Sequence, residues 1–107
     1  MLNQVVLVGR LTADPETIEL DNDKKKSVIT VACQRSYKNA DGIYDTDFIR
    51  CVLWDGIAIN VKEYCKKGDI VGIKGRIQVS KIDDTYVTEV VAEKVTFLSS
   101  KKDNKEE

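Results

Sequence analysis

Apolar residues in this chain mostly recur at every second position, the spacing of β-strands whose side chains alternate between two faces. The run "VVLVGRL" at residues 5–11 predicts a short first strand, closed by the Asp14-Pro15 turn signal. A polar stretch follows, and its "DNDKKK" (residues 21–26) has the composition of an exposed loop. "SVITVACQRSY" then alternates, with Ile29, Val31 and Cys33 on one face and Val28, Thr30 and Ala32 on the other. "KNADGIYD" (residues 38–45) is a loop around an Asp-Gly turn, and "DTDFIRCVLW" (residues 45–54) is a third strand.

The period changes in "DGIAINVKEYCKKGD", where Ile57, Val61, Tyr64 and Cys65 fall at i, i+4, i+7 and i+8, the stripe of an amphipathic helix. Asp55 is placed to cap its start, Lys66 and Lys67 to meet the negative end of its dipole, and Gly68 to stop it. "IVGIKGRIQVSK" predicts a fourth strand with Val71, Ile73, Ile77 and Val79 inward and Lys74, Arg76 and Gln78 outward. Its Gly72 and Gly75 suit a hard bend or the close approach of another backbone. After the turn "IDD", "TYVTEVVAEKVTFL" is the last strand.

Three strands, one helix and two strands predict an all-β architecture: the OB-fold, a five-stranded antiparallel Greek-key barrel with one α-helix between strands 3 and 4. A split α+β sheet with the helix on one face is the structural alternative, and the mid-strand glycines favour the closed barrel. One domain is expected over residues 1–98, followed by a short polar, mobile tail over residues 99–107.

Composition narrows the chemistry. None of the 107 residues belongs to a segment approaching the roughly 18 apolar positions of a membrane helix. The N-terminus runs straight into "NQVVLVGRL" with no basic-then-apolar leader, so no export signal and a cytoplasmic location are expected. Cys33, Cys51 and Cys65 are widely spaced in apolar patterns and read as reduced core residues. Without histidine or a C-x-x-C pair, a zinc site or a His-based triad is close to excluded, and no cofactor is expected. No nucleophile has an obvious base, so the sequence reads as a binding protein and not an enzyme.

Net charge is −1, but its distribution is uneven. Residues 1–23 carry one cation and five anions, whereas residues 24–81 carry twelve cations and six anions. A polyanion feels that local excess, although a charge block is equally compatible with a solvated surface. The third strand adds to the picture. Its Ile49, Cys51 and Leu53 make a plain core face, while the opposite face carries Phe48, Arg50, Val52 and the chain's single tryptophan, Trp54. An OB-fold binds its ligand around these second and third strands. Exposed rings there would stack unpaired bases without reading sequence, and nearby cations would neutralise phosphates. The candidates are the rings of Tyr37, Phe48 and Trp54 and the cations Arg35, Lys38, Arg50, Lys62, Lys66, Lys67, Lys74 and Arg76. Tyr64 and Phe97 are assigned to packing, and Tyr44 and Tyr86 fit packing or ligand contact equally.

Four stretches, "MLNQVVLVGRLTADPE", "DFIRCVLW", "EYCKKGDIVGIKGRI" and "YVTEVVAEKVTFL", resemble the DNA-binding domain of bacterial single-stranded DNA-binding proteins over residues 1–98. The resemblance implies a homotetramer, as a dimer of dimers, that wraps single-stranded DNA without sequence preference in replication, recombination and repair. It matches the family's stacking aromatics to Tyr37, Phe48 and Trp54, and its phosphate-binding cations to Arg50, Lys66 and Lys67. It places subunit contacts on residues 3–10 and 77–86.

Three departures stand out. The hairpin "QVSKIDDTY" is short and has Ile82 where many members carry an aromatic, with Asp83 and Asp84 beside it, so less DNA contact is expected there. Asp55 follows Trp54 where members usually have glycine or a basic residue. Typical members continue into a flexible linker and an acidic tip that recruits replication and repair proteins. The sequence here ends in "KKDNKEE", which leaves such recruitment without its usual segment. A primosomal accessory or RNA-binding protein on the same fold is the alternative function.

Overall fold

The computed structural model describes residues 1–99. The alternating segments form β1 (Val5–Leu11), β2 (Ile18–Glu19), β3 (Lys25–Lys38), β4 (Tyr44–Trp54), β5 (Ile70–Ile82) and β6 (Thr85–Phe97). The helical segment is α1 (Asp55–Tyr64), between β4 and β5. The two-residue β2, which the sequence did not predict, only extends the edge of β3 through Ile18↔Lys26 and Glu19↔Lys25. It follows that "DNDKKK" is not all loop: Asp21–Asp23 form one 3-10 turn, and Lys25 and Lys26 begin β3.

The five longer strands close into the expected OB-fold barrel. Their order is β1-β5-β6-β4-β3, and β3 returns to β1 through Arg10↔Ala32 and Leu11↔Val31. One pairing departs from the antiparallel expectation: β4 and β6 meet in parallel, through Cys51↔Val90 and Val52↔Val91. β3 and β5 are also longer than expected, with 14 and 13 residues, while β6 has 13 and stops one residue short of Leu98.

Inside the barrel, Val31, Cys51, Leu53, Val71 and Ile73 are fully buried, and Ala58 and Val61 of α1 plug one end. Each such aliphatic side chain contributes roughly 1.5–3 kcal/mol through burial. Cys51 and Cys65 are buried and Cys33 half-buried, all three as free thiols. Burial, with a smaller contribution from Cys33, pushes the Cys51 thiol up to about 12.

Closure depends on Gly75. At this point β6 contributes an extra residue, the register passing from Lys74↔Lys94 to Gly75↔Ala92. A methyl group at Gly75 would fall within the carbonyl oxygen of Val91 and lie 2.9 Å from the carbonyl carbon, both backbone atoms that cannot yield. Gly72 has no such role: a methyl there would meet Leu98 Cδ1 at an ordinary 3.4 Å.

Several placements differ from the alternating pattern. Ile77 and Val79 are exposed although their parity points inward. The ladder between β1 and β5 ends at Val5↔Gly75, so from Ile77 onward β5 pairs with β6 alone and the two form a ribbon with no second layer over it. The Asn3 side chain clasps the base of this ribbon, its Nδ2 donating to Ile77 O and its Oδ1 accepting from Ile77 N–H, each at 2.8 Å.

Tyr64 leaves the buried stripe of α1 and packs on Phe97 at the surface, with ring centroids 5.8 Å apart. The helix stops at Tyr64, before Lys66 and Lys67, because Cys65 turns extended while its N–H still donates to Val61 O. Asp55 does not cap α1 either. It opens the helix in the left-handed region (φ 47°), and its Oδ1 accepts from Lys25 N–H at 3.0 Å. That backbone conformation is one glycine adopts more readily than aspartate. Ser99, the last described residue, is held by β5, its Oγ accepting from Ile70 N–H at 2.6 Å. The remainder of the expected tail, residues 100–107, lies outside the described residues.

Among the described residues, no helix is long and apolar enough to cross a membrane.

Candidate nucleic-acid interface

The register of β3 against β4 sorts the outer face of the barrel into opposed pairs: Lys26 with Trp54, Val28 with Val52, Thr30 with Arg50, and Ala32 with Phe48. Cross-strand size explains what stands proud. Phe48 faces only the methyl of Ala32, and 67% of its surface is exposed. Trp54 is half-buried, and Lys26 Nζ sits over its ring at 5.5 Å from the centroid. Val52, between them on the same face, is buried and closes the floor. Tyr37 is 63% exposed, within the irregular stretch of β3 between Gln34 and Lys38.

The expected cations divide by residue type. All three arginines are held by carboxylates. Arg35 forms a two-pronged pair with Asp47 (Nε to Oδ2 at 3.0 Å, Nη2 to Oδ1 at 2.9 Å), and Asp45 lies 3.8 Å from Nη1. The Arg35 hydrogen bonds hold the Asp47 carboxyl below its ordinary range. Arg50 Nε donates to Glu89 Oε2 at 2.6 Å. Arg76 donates to Gln78 Oε1 at 2.9 Å and lies 3.8 Å from Glu93.

Lys38, Lys62, Lys66, Lys67 and Lys74, by contrast, make no ion pair to any described residue. Their positions differ. Lys38 sits over the Tyr44 ring at 5.7 Å, at the tip of the β3–β4 hairpin. Lys62 is on α1, near Lys25 and Ile59. Lys66 and Lys67 lie in the turn after the helix, where the Lys67 backbone N–H donates to Asp14 Oδ1 at 2.7 Å. Lys74 stands opposite Val6 of β1, on a strand that β6 separates from β4.

Lys26 joins this face, although it is not among the candidates drawn from the sequence. Its strand period was the available signal: counted back from Val28 and Thr30, it shares their outward face. A third ring-and-ammonium pair lies on the β5–β6 ribbon, where Lys81 sits over Tyr86 at 5.9 Å. All three such pairs join directly opposed cross-strand partners.

Glu89 is the acidic exception on this surface. Only 5% exposed, it accepts from Arg50 and, through Oε1, from the Ser80 hydroxyl at 3.1 Å. Burial pushes its carboxyl up. The hydrogen bonds from Arg50 and Ser80, with the charges of Arg50 and Lys26, outweigh burial and hold it below its ordinary value. No group of three or more His, Cys, Asp or Glu side chains among the described residues could hold a metal ion.

A face of open rings, pinned guanidiniums and free ammoniums has counterparts among known proteins. Over 106 residues, the chain is 42% identical to Single-stranded DNA-binding protein B of Bacillus subtilis, an alignment that takes in 94% of each chain. It is 43% identical over 111 residues to Single-stranded DNA-binding protein 2 of Staphylococcus aureus, covering 99% of this chain and 80% of that one. It is 47% identical over 103 residues to the Single-stranded DNA-binding protein of Halalkalibacterium halodurans, of whose length it spans 61%. Residues 2–98 match the model of the Single-strand binding protein family, and the chain belongs to that family.

Proposed function

We propose that this protein binds single-stranded DNA without sequence preference, stacking bases on Phe48, Trp54 and Tyr37 while lysines around the rings neutralise the phosphates. The observation that carries the reading is Phe48. A phenyl ring two-thirds open to water, on a strand whose other face already supplies the core, does nothing for folding. Stacking on a base returns roughly 1–3 kcal/mol per ring, and any base will serve. Binding of this kind protects unpaired strands during replication, recombination and repair, and the cytoplasm is where this protein would meet them.

Self-association belongs to the same reading. Val6 and Val8 are exposed on the outer face of β1, and Ile77 and Val79 are exposed on the ribbon. Both sets lie in the segments expected to make subunit contacts, and covering them in a homotetramer would bury apolar surface that a lone protomer leaves wet.

Titration with oligo-dT of several lengths tests the proposal, read by Trp54 fluorescence and by the mass of the complexes. Quenching by single strands, little response to duplex, and complexes containing four protomers are expected. Equal response to duplex, or stronger binding of oligo-rU than oligo-dT, would count against it. Phe48→Ala should weaken binding by about tenfold and leave the melting temperature nearly unchanged.

A further inference from the structure

Glu89 stands where a surface built for phosphates should tolerate no anion. It is nevertheless buried, held by the Ser80 hydroxyl and bonded to the arginine that lies on the same strand face as Phe48 and Trp54. Only Nε of Arg50 is used in that bond. Nη1 and Nη2 make no hydrogen bond to any described residue, and the side chain remains 39% exposed. The guanidinium is therefore clamped along one edge and open along the other, its charge matched by a carboxylate 2.6 Å away. Lys38, at the end of the same hairpin, has no such partner.

We propose that Glu89 is a positioning residue of the single-strand interface. Through Arg50 it sets a rigid, charge-compensated donor between the two stacking rings. The part of the strand that crosses β4 is then held by directional hydrogen bonds to base or phosphate oxygens, and counterion release comes from the lysines around it. A planar guanidinium fixed by one edge loses little freedom when its other edge bonds a ligand, unlike a mobile ammonium. This assignment rests on the single-strand reading above.

The salt dependence of oligo-dT affinity separates the two kinds of contact, because each phosphate neutralised by an uncompensated cation adds about 0.7 to the slope of log K against log salt for single strands. Lys38→Gln should flatten the slope by about that amount. Arg50→Gln, which leaves Glu89 an uncompensated anion, should weaken binding roughly tenfold or more and flatten the slope. Glu89→Gln, which keeps the shape but leaves Arg50 uncompensated, should steepen the slope by about 0.7 and tighten binding at low salt. The double variant should return to the starting slope.

A merely structural Glu89 would change stability and not the slope. If the double variant flattens the slope as Lys38→Gln does, or Glu89→Gln folds and leaves it unmoved, the assignment is overturned. The double variant, which removes both charges of the pair, decides the matter even if Glu89→Gln alone does not fold. Failure of the unaltered protein to bind any single strand would instead remove the functional reading, and this assignment with it.

Discussion

Lys26 and Trp54 face each other directly across the β3–β4 ladder, with the lysine Nζ 5.5 Å from the centre of the indole ring. A base stacked on Trp54 would carry its phosphate past this ammonium, so one cross-strand pair supplies both the π-surface and the counter-charge. The cation makes no ion pair with any described carboxylate, although its charge also acts on the buried Glu89. Lys26→Gln should therefore weaken oligo-dT binding and flatten the salt slope by about 0.7. Lys74→Gln, on β5 beside Val6, should leave the slope in place. Parallel titrations at several salt concentrations check both, and equal losses from the two variants would mean that general charge, and not placement beside a ring, controls binding.

Gly75 and Gly72 offer a paired test of barrel closure. Gly75→Ala forces a methyl into the Val91 backbone and should cost upward of about 2 kcal/mol, the range of overpacked cores. Gly72→Ala meets only a flexible leucine and should change stability by less than about 0.5 kcal/mol. Urea unfolding of the two variants gives the comparison, and similar midpoints would contradict the close-approach argument.

The tip of the β5–β6 ribbon is strained. Asp83 (φ 49°) and Asp84 (φ 65°) both occupy the left-handed region, the geometry of a two-residue hairpin turn that prefers Asn-Gly. Replacing the pair as Asp83→Asn and Asp84→Gly should add about 0.5–1 kcal/mol. The exposed Lys81–Asp84 ion pair it removes, at 3.8 Å, contributes little. A rise in melting temperature of roughly 4–8 °C per kcal/mol is expected. Two negative charges also leave the ribbon, so oligo-dT binding should tighten at low salt. A fall in melting temperature would show that the aspartates stabilise this turn as it is.

Stability should depend on pH through Glu89. Its carboxyl is held below its ordinary value of 4.5, so the folded protein binds that proton less readily than the unfolded chain does. The stabilisation is complete above 4.5 and is lost as pH falls through the lowered value. Glu89→Gln removes this dependence. The stability gap between the unaltered protein and the variant should be widest near neutrality and close as the pH falls through the lowered value, measured by urea unfolding. A gap that grows on acidification would reverse the sign and discard the argument.

Strand periods, the helical stripe and the glycine at the bulge were enough to specify this barrel, because burial on one face fixes alternation and 3.6-residue spacing fixes the stripe. The same alternation put Phe48, Arg50 and Trp54 on one side of one strand, and no packing detail was needed to mark that side as surplus to the core. What alternation carries no information about is distance along a ladder, or which strand lies beside which. Parity pointed Ile77 and Val79 inward, yet they are wet because the barrel ends at Gly75 and the ribbon runs on alone. Composition counted Arg35, Arg50 and Arg76 as free cations. Pairing hydrogen-bonded strands brought Asp47, Glu89 and Glu93 within reach of them, and register put Lys26 over the indole. Charge type is written residue by residue, but whether a charge is spent or available depends on neighbours far away in the chain, 39 positions in the case of Arg50 and Glu89, and only folding brings those together.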